Sequence, residues 1–396
     1  MRTLYTNIVN LLSKVLPSLP SLSKLGSSPD SFLCVDIGTD FVKVLRVENT
    51  PEGRKITGKG CQSLPWEAVR GSVLTNEEQI VESLQLAIEE AVGTERQPNN
   101  AVVSLGGELI TNFTTTAKVH RVNSEEPISA KELADTKQKI TDIAYMEGEK
   151  TLGLFSGTPD LEIELVNSLL TLVKVDNFLV EKPVGFKGED IELSLYTSFA
   201  PKFHLETIKR VLSKLRLKVA GYQGSLYGLT KYLSHEPNAV IIDVGGNCTD
   251  IAVVFGGSIV GSRALGLGGR FFSEIISKNL GVPFNEAESK KLSFTAGNSD
   301  GEQSDLINSA FSDLLPLWLS GLSQALLDIE GIKILPSTVF LTGGGSLLPI
   351  VQEFLRDYPW AKSLPFKGPL EVKKVEFEGL NPTFVPLATT AKMYGN

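Results

Sequence analysis

The sequence predicts an α/β protein made of two related lobes, and three observations lead to this fold class. Apolar strand-like segments alternate with amphipathic helical segments, which is typical of a mixed sheet covered by helices. One strand–turn–strand pattern occurs twice, at 32–47 and at 239–254. A chain of 396 residues is too long for a single hydrophobic core, so this repeat indicates duplicated domains rather than a solenoid.

The second copy of the pattern has the features of a phosphate-binding turn. Four apolar residues lead to Asp243, and Gly245, Gly246 and Asn247 then tolerate a tight turn. Since no bulky side chain stands there, backbone N–H groups can face an anion at close range. The carboxylate of Asp243, at the end of the strand, is placed to hold a hydrated divalent metal ion.

Two further elements complete the set. The first copy of the pattern repeats the arrangement around Asp36 and Gly38. Much later, an apolar strand at 337–342 leads into three glycines at 343–345 and then into a helix. Glycines after a strand let the backbone pass flat against a planar or charged ligand.

In this order, the three elements resemble those of the actin-like ATPase superfamily, which includes actin, sugar kinases and the 70-kDa heat-shock chaperones. The two hairpins resemble its phosphate-1 and phosphate-2 loops, and the triple glycine resembles its adenosine loop. The resemblance implies the actin-like ATPase fold, with two duplicated RNase H-like lobes around a nucleotide cleft, and it implies ATP and Mg²⁺ as ligands.

The block at 100–183, predicted as strand, strand, helix and strand, does not belong to a minimal actin. Its entry, Val-Ser-Leu-Gly-Gly-Glu-Leu-Ile, and its later Ile-Ser-Ala-Lys-Glu-Leu resemble the inserted, SHS2-like 1C subdomain of the cell-division protein FtsA. The exit at 182–188 is similar to the Asn-Pro-x-Gly-Met-x-Gly segment of that family, from which Lys182 and Phe186 depart.

The resemblance also implies domain limits, with a first lobe made of three chain segments, one insert and a second lobe. These limits are 1–27 for an amphipathic tail and linker, 28–99 with 184–237 and 380–396 for the first lobe (1A), 100–183 for the insert (1C), and 238–379 for the second lobe (2A, with 2B at about 274–337).

The same resemblance assigns binding roles to individual residues. Asp36 and Asp243 are expected to hold Mg²⁺ through water, and Thr39, Asn247 and Thr249 are expected to donate to phosphate. The residues expected to contact ATP are Gly38, Thr39, Asp40, Lys43, Gly245, Gly246, Asn247, Thr249, Gly268, Gly269, Glu288, Lys291, Gly343, Gly344, Gly345 and Ser346.

Two of these assignments have open alternatives. Lys43 is expected either to pair with phosphate or to be a surface lysine of its strand. Glu288 and Lys291 are expected near ribose and adenine, and the alternative is a solvated i,i+3 ion pair on a helix.

The sequence supplies residues that position phosphate but no evident base for hydrolysis. The attacking water needs a base or an orienting polar group near the γ-phosphate. The helix predicted at 222–233 offers only Gln223 and Ser225. We therefore expect slow hydrolysis at best, with the nucleotide joining the two lobes as a switch.

Residues 1–27 carry apolar residues at three- and four-residue spacing, three basic residues and no acidic one. Three interpretations stay open: a membrane-surface helix, a segment that docks on a partner or on this chain, and a frayed terminus. FtsA proteins usually end in a flexible linker and an amphipathic membrane helix. This sequence ends at Asn396 and has its amphipathic segment at the other end, which makes an N-terminal anchor one of the three interpretations.

Composition narrows the classes of function. The formal net charge is −8, which does not favour a nucleic-acid partner. Three cysteines occur without a C-x-x-C pair, which is typical of a reducing compartment and argues against a metal cluster. The sequence lacks the run of roughly 18 apolar residues that a membrane-spanning helix needs.

The resulting hypothesis is an FtsA-like, ATP-binding protein of the cytoplasm that acts as a scaffold on the inner face of the membrane in bacterial cell division. It would self-associate into filaments and bind the tubulin-like protein FtsZ or other division proteins. The alternative is a PilM-like adaptor of type IV pilus assembly, which binds a short peptide of an inner-membrane protein. A small-molecule kinase is a weaker hypothesis, because no second catalytic aspartate stands in a substrate-site pattern.

Overall fold

Two lobes and an inserted subdomain make up the structure, a computed structural model that describes residues 31–158, 160–329, 331–357 and 359–394. The tail predicted at 1–27 lies outside the described residues. Within the part of the chain that the structure describes, no helix is long and apolar enough to cross a bilayer.

The first lobe is built on a five-stranded sheet. Strands β1 (Ser31–Ile37), β2 (Phe41–Thr50) and β3 (Gly53–Ser63) form an antiparallel meander. Strands β6 (Asn100–Leu105) and β11 (Lys218–Gly224) extend the sheet in parallel beside β1. The resulting strand order is β11-β6-β1-β2-β3.

The second lobe repeats this sheet. Strands β12 (Ala239–Val244), β13 (Thr249–Phe255) and β14 (Ser258–Leu265) form the antiparallel meander. Strands β15 (Thr338–Thr342) and β16 (Glu371–Lys374) extend it in parallel beside β12. The order β14-β13-β12-β15-β16 matches that of the first lobe, strand for strand, which confirms the predicted duplication.

Helices pack on the faces of the sheets. They are α1 (Glu77–Val92), α2 (Ala130–Ser156), α3 (Lys202–Lys214), α4 (Ser225–Tyr232), α5 (Gly269–Leu280), α6 (Phe284–Thr295), α7 (Gly301–Leu327), α8 (Pro349–Asp357) and α9 (Val385–Met393). Short 3-10 turns occur at Gly344–Leu347, Pro359–Ser363 and Pro382–Phe384, and a small hairpin, β4 (Val69–Arg70) with β5 (Val73–Leu74), follows β3.

The insert has its own sheet, and its limits differ from the prediction. Strands β7 (Thr111–His120), β8 (Ile163–Val175), β9 (Phe178–Leu179) and β10 (Asp190–Pro201) pair in the order β7-β10-β8-β9 beside α2. Strand β6 belongs to the first lobe because it bonds to β1 and β11, whereas β10 bonds to β7 and β8. The insert therefore spans 111–201 rather than 100–183.

Helix α2 continues to Ser156, through a polar stretch of the sequence. The stretch after Ala144 is polar, but Gly148 and Leu152 continue the face that packs against the insert sheet. A Cβ added to Gly148 would lie 3.0 Å from the ring of Phe199 on β10, so the helix approaches the strand closely there. This packing holds a polar stretch in helical form.

Helix α1 lies very close to β3 because β3 carries two glycines. A Cβ added to Gly58 or Gly60 would come within 1.9 Å of the carbonyl oxygen of Ala91 or Ala87, respectively. The apolar face of the helix then buries side chains at helical spacing, as the sequence predicts. This packing supports the sheet whose β1–β2 turn carries Asp40.

Replacing Gly60 with alanine is expected to lower thermal stability, because the new methyl group would overlap the Ala87 carbonyl oxygen and push α1 away from β3. Overpacking of this kind costs about 1–3 kcal/mol. The matched control is Gly301→Ala at the first position of α7, where an added Cβ meets nothing within 4 Å. Circular dichroism melts should show a lower midpoint for G60A than for wild type and G301A. Equal midpoints would show that α1 does not pack this closely.

Candidate nucleotide-binding cleft

A cleft lies where the turns of the two lobes face each other. The β1–β2 turn forms one wall, the β12–β13 turn forms a second, and the loop after β15 forms a third. Ligands of open α/β sheets bind outside the carboxyl ends of the strands, which is where these loops lie. The cavity volume is about 410 Å³, a size typical of small-molecule sites.

Most of the residues predicted from the sequence line this cleft. They are Asp36, Gly38, Thr39, Asp40, Lys43, Asp243, Gly245, Gly246, Gly269, Glu288, Lys291, Gly343, Gly344 and Gly345. Four predicted residues are not part of the lining: Asn247, Thr249, Gly268 and Ser346.

Two of these four residues support the walls from behind. Thr249 is fully buried, and its hydroxyl donates to the carbonyl oxygen of Leu267 at 2.7 Å and accepts from Trp318 Nε1 at 3.2 Å. The hydroxyl of Ser346 donates to the carbonyl oxygen of Gly343 at 2.6 Å. The phosphate contact expected of Thr249 does not fit this position, because its strand directs the hydroxyl into the core of the second lobe.

A compact group of charges lies in the cleft. Lys43 Nζ donates to Asp36 Oδ2 at 2.7 Å, and its side chain is only 16% exposed, so Lys43 is not a surface lysine. Burial lowers the pKa of Lys43, but Asp36 and Asp243 outweigh burial and raise that pKa above its ordinary value. The pKa of Asp243 is raised to about 7, first by burial and then by the charges of Asp250 and Asp36.

This set of charges fits a hydrated divalent cation. Asp36 and Asp243 supply carboxylate oxygens, which Mg²⁺ prefers, and a cation would relieve the repulsion that raises the pKa of Asp243. Among the described residues, no group of three or more metal-ligating side chains could hold an ion by itself. A Mg²⁺ ion here would therefore take most of its ligands from water and phosphate oxygens.

The loops that form the cleft touch one another. A Cβ added to Gly246 would lie 2.4 Å from Asp40 Oδ2, so a larger residue there would displace the Asp40 carboxylate. Gly343 has a φ of 82°, in the left-handed region, and its added Cβ would meet Asp243 Oδ1 at 2.3 Å. Three backbone segments therefore converge on the charged group.

Helix α6 contributes to the cleft an ion pair of a buried lysine and a half-buried glutamate. Lys291 Nζ donates to Glu288 Oε2 at 2.7 Å and to the carbonyl oxygen of Gly269 at 3.0 Å, and the hydroxyl of Ser273 also donates to Glu288. Lys291 is 7% exposed, so the pair is not the solvated i,i+3 pair of the alternative interpretation. Both side chains line the cleft within reach of a ligand.

Asp250 is a cleft residue that the sequence analysis does not identify. It pairs with Asp243 across strands β12 and β13, and its Oδ2 accepts the Gly107 N–H at 2.8 Å. Burial raises the pKa of Asp250 to about 6, although the Gly107 bond lowers it, and Glu108 adds to the rise. The available signal was the second aspartate of the same strand–turn–strand pattern, at the start of the strand that follows the turn.

Of the two polar residues considered for hydrolysis, Ser225 lines the cleft and Gln223 does not. The helix predicted from Tyr222 begins at Ser225, because the preceding residues continue β11. Gln223 is 2% exposed, and its Nε2 atom has no hydrogen-bond partner among the described residues. Ser225 lies near Asp250, since a Cβ added to Gly106 would be 3.0 Å from one and 3.1 Å from the other.

A cation from the second lobe also reaches the first turn, and little in the sequence points to it. Arg270 Nε donates to Asp40 Oδ1 at 2.6 Å, although Arg270 lies in α5 and Asp40 lies between β1 and β2. A single arginine after a Gly-Gly pair carries no recognisable motif. The ion pair forms only through the packing of the two lobes, so the sequence does not predict it.

Comparison with known proteins supports a family resemblance. The family model of the cell division protein FtsA matches residues 240–384, which contain the second turn, α5, α6 and the triple glycine. FtsA of Neisseria meningitidis serogroup B is 23% identical over 278 residues, which cover 68% of this chain and 62% of that protein. FtsA of Enterococcus faecalis is 22% identical over 349 residues, which cover 82% of this chain and 76% of that protein.

Solved structures extend the similarity to the whole fold. A chain of a PilM–PilN type IV pilus biogenesis complex superimposes with a TM-score of 0.65 at 17% identity, over 92% of this chain and 98% of that chain. This chain is FtsA-like and has the actin-like ATPase fold. The ethanolamine utilization protein EutJ from Carboxydothermus hydrogenoformans shares the fold more distantly, with a TM-score of 0.52 at 14% identity.

The buried carboxylates of this cleft should make the ligand-free protein less stable at about pH 8 than at about pH 4. The folded-state pKa of Asp250, about 6, exceeds the value of about 4 for a free aspartate, so the folded protein binds more protons between these pH values. The free energy of unfolding should therefore fall as the pH rises through this window. The raised pKa of Asp243 lowers the free energy of unfolding in the same way as the pH rises to about 7.

Asp250→Asn removes the charge but keeps an acceptor for the Gly107 N–H. In EDTA and without nucleotide, the melting midpoint of D250N should exceed that of wild type at about pH 8 and approach it at about pH 4, where Asp250 is protonated in the folded protein and half protonated in the unfolded chain. Glu82→Gln, at an exposed position on α1, is the control and should follow wild type at both pH values. A D250N midpoint no higher than that of wild type at the upper pH would contradict the buried-charge assignment.

Proposed function

We propose that this chain binds ATP with Mg²⁺ in the cleft and acts as a scaffold on the cytoplasmic face of the membrane in bacterial cell division. One observation carries the proposal, namely that two duplicated turns face each other across one cavity with an aspartate beside each turn. This arrangement offers backbone amides to phosphate and carboxylates to a hydrated cation from both lobes at once. Similarity to FtsA proteins supports the role in division.

The geometry supports a definite placement of the nucleotide. Backbone N–H groups of the turns at 38–40 and 245–247 would face the phosphates, and Lys43 would add a cation. The glycines at 343–345 would lie along the adenosine. Glu288 and Lys291 would exchange their present partners for hydroxyl groups of the ribose.

We propose that hydrolysis, where it occurs, is slow. Asp250 is the best-placed base, because it lines the cleft beside Ser225 and has a pKa of about 6, near the working pH that general-base catalysis favours. One of its oxygens is already engaged by the Gly107 N–H. Bound nucleotide would therefore persist long enough to act as a switch.

The switch would work through the relative position of the lobes. A nucleotide held by both turns binds the closed arrangement better than an open one, so it shifts the population towards the closed state. Self-association into filaments, binding to FtsZ or other division proteins, and peripheral membrane contact through residues 1–27 are proposed from the similarity to FtsA.

A second candidate function is that of an adaptor in type IV pilus assembly. It is favoured by the structural similarity to the PilM–PilN complex, which extends over nearly the whole length of both chains. Such an adaptor would bind a short peptide of an inner-membrane protein rather than polymers of a division protein. The sequence similarity to FtsA proteins makes the division role the first choice.

Isothermal titration calorimetry tests the nucleotide proposal. Wild type should bind ATP in Mg²⁺, and Asp36→Asn should bind it about tenfold more weakly, a loss of ~1.4 kcal/mol, because one of two carboxylates for the cation is gone. In EDTA the two proteins should bind ATP alike, and Glu82→Gln should match wild type throughout. Equal binding of D36N and wild type in Mg²⁺ would refute the metal assignment. Absence of binding by wild type would refute the nucleotide proposal.

Sedimentation assays separate the division role from the pilus role. With ATP and Mg²⁺, the full chain should pellet with anionic liposomes, and a chain lacking 1–27 should remain in the supernatant. Co-sedimentation with polymerised FtsZ supports the division role. Binding to a peptide of an inner-membrane pilus protein, without co-sedimentation with FtsZ, would replace it with the adaptor role.

A further inference from the structure

We infer that Arg270 is the centre of a clasp that controls nucleotide exchange. Its hydrogen bonds connect the β12–β13 turn of the second lobe to the β1–β2 turn of the first lobe. The clasp consists of Arg270 and Phe284 from the second lobe, and Asp40 and Trp66 from the first. The contacts between these two pairs of residues must break before the cleft can open. This inference rests on the proposed nucleotide site and describes the regulation of that site.

The backbone of Arg270 is attached to the turn of its own lobe. Its N–H donates to the carbonyl oxygen of Gly246 at 2.8 Å, and the N–H of Gly269 donates to that of Gly245 at 2.8 Å. These bonds fix the start of α5 directly on the β12–β13 turn. A movement of Arg270 is therefore a movement of that turn.

The side chain of Arg270 is attached to the other lobe. Nε donates to Asp40 Oδ1 at 2.6 Å, Nη2 donates to the carbonyl oxygen of Thr39 at 2.9 Å, and Nη1 donates to that of Val69 at 3.3 Å. Every nitrogen of the guanidinium thus has an acceptor in the first lobe. One residue bonds to both phosphate turns.

Two aromatic rings, those of Trp66 and Phe284, pack over the Arg270 guanidinium on its solvent side. The guanidinium carbon lies 4.0 Å from the centroid of the Trp66 ring, and that ring lies 4.0 Å from the ring of Phe284 at the start of α6. Trp66 is 45% exposed, whereas Arg270 is only 6% exposed. The ring of Trp66 therefore shields the arginine of the ion pair from solvent, while the Asp40 side chain is 21% exposed.

This arrangement makes opening slow. Charge-assisted hydrogen bonds are stronger than neutral ones, and separating the two lobes leaves the buried Arg270 guanidinium without its acceptors until water enters. Phosphate groups bound between the two turns would stabilise the same closed state as the clasp. Nucleotide and clasp therefore reinforce each other, and loss of the clasp should speed nucleotide release.

Arg270→Met tests the clasp, because methionine keeps an apolar chain beside Trp66 but has no donors. The matched control is Arg263→Met, since Arg263 donates to Ser262 and Asp328 within its own lobe. Release of a fluorescent methylanthraniloyl-ATP in Mg²⁺ is followed by stopped flow. R270M should release it about 10- to 100-fold faster than wild type, because charged hydrogen bonds are lost, whereas R263M should stay within about twofold. R270K should be intermediate, because an ammonium group cannot reproduce the fork.

A second readout does not depend on nucleotide. The protein has three tryptophans, of which Trp318 and Trp360 are buried, so subtracting the emission of Trp66→Phe variants isolates Trp66. Acrylamide quenching of Trp66 in the ligand-free protein should increase in R270M and not in R263M. If wild type holds no nucleotide but R270M shows this increase, the contact between the lobes through Arg270 stands, whereas the proposed nucleotide function, and with it the control of exchange, fails.

Unchanged nucleotide release together with unchanged quenching would overturn the clasp. If wild type binds nucleotide, and R270M releases it within twofold of wild type with unchanged quenching, Arg270 does not control opening. Should R270M fail to fold in melting experiments, R270K and Trp66→Ala take its place. W66A removes the ring over the ion pair and should speed release about threefold. Unchanged release rates in both substitutes would overturn the inference.

Discussion

The close approach of the second lobe's β12–β13 turn to the first lobe's β1–β2 turn is the constraint on which the rest of this structure depends. The Asp40 carboxylate lies so near the Gly246 backbone that a larger side chain at the glycine would displace it. Each turn joins the first two strands of its own sheet, and the two sheets have the same strand order. Both lobes therefore direct amides and carboxylates towards one cavity. Duplication thereby creates a two-sided ligand site that neither lobe could form alone.

Buried charge determines the chemistry of that site. Lys43 pairs with Asp36, while burial and neighbouring carboxylates raise the pKa of Asp243 to about 7. The negative charge opposes close approach of the lobes, and a cation with phosphate ligands would convert the same carboxylates into attractive contacts. Under the proposed function, cation binding, phosphate binding and lobe closure would be linked, so each would strengthen the others.

Local patterns predicted the parts of this site that lie close together in the chain. Both turns and the triple glycine were predictable because each is a strand followed by small residues. Contacts between segments that are far apart in the chain were not predictable. Arg270 and Asp40, for example, are 230 positions apart. The limits of the insert were wrong for the same reason, since only pairing with β1 assigns β6 to the first lobe. The hydroxyl of Thr249 resembles a phosphate donor in sequence, but it bonds to Leu267 and Trp318 in the core.

A fold of this kind supports many functions, so the cleft must be tested directly. Hydrogen–deuterium exchange with mass spectrometry, with and without saturating ATP and Mg²⁺, is the most direct measurement. A nucleotide held by both lobes predicts slower exchange at 37–41, 244–249 and 343–347 together, with no change in the hairpin at 174–179 in the insert. Protection of one lobe's turn alone, or of none of the three segments, would contradict a shared nucleotide site.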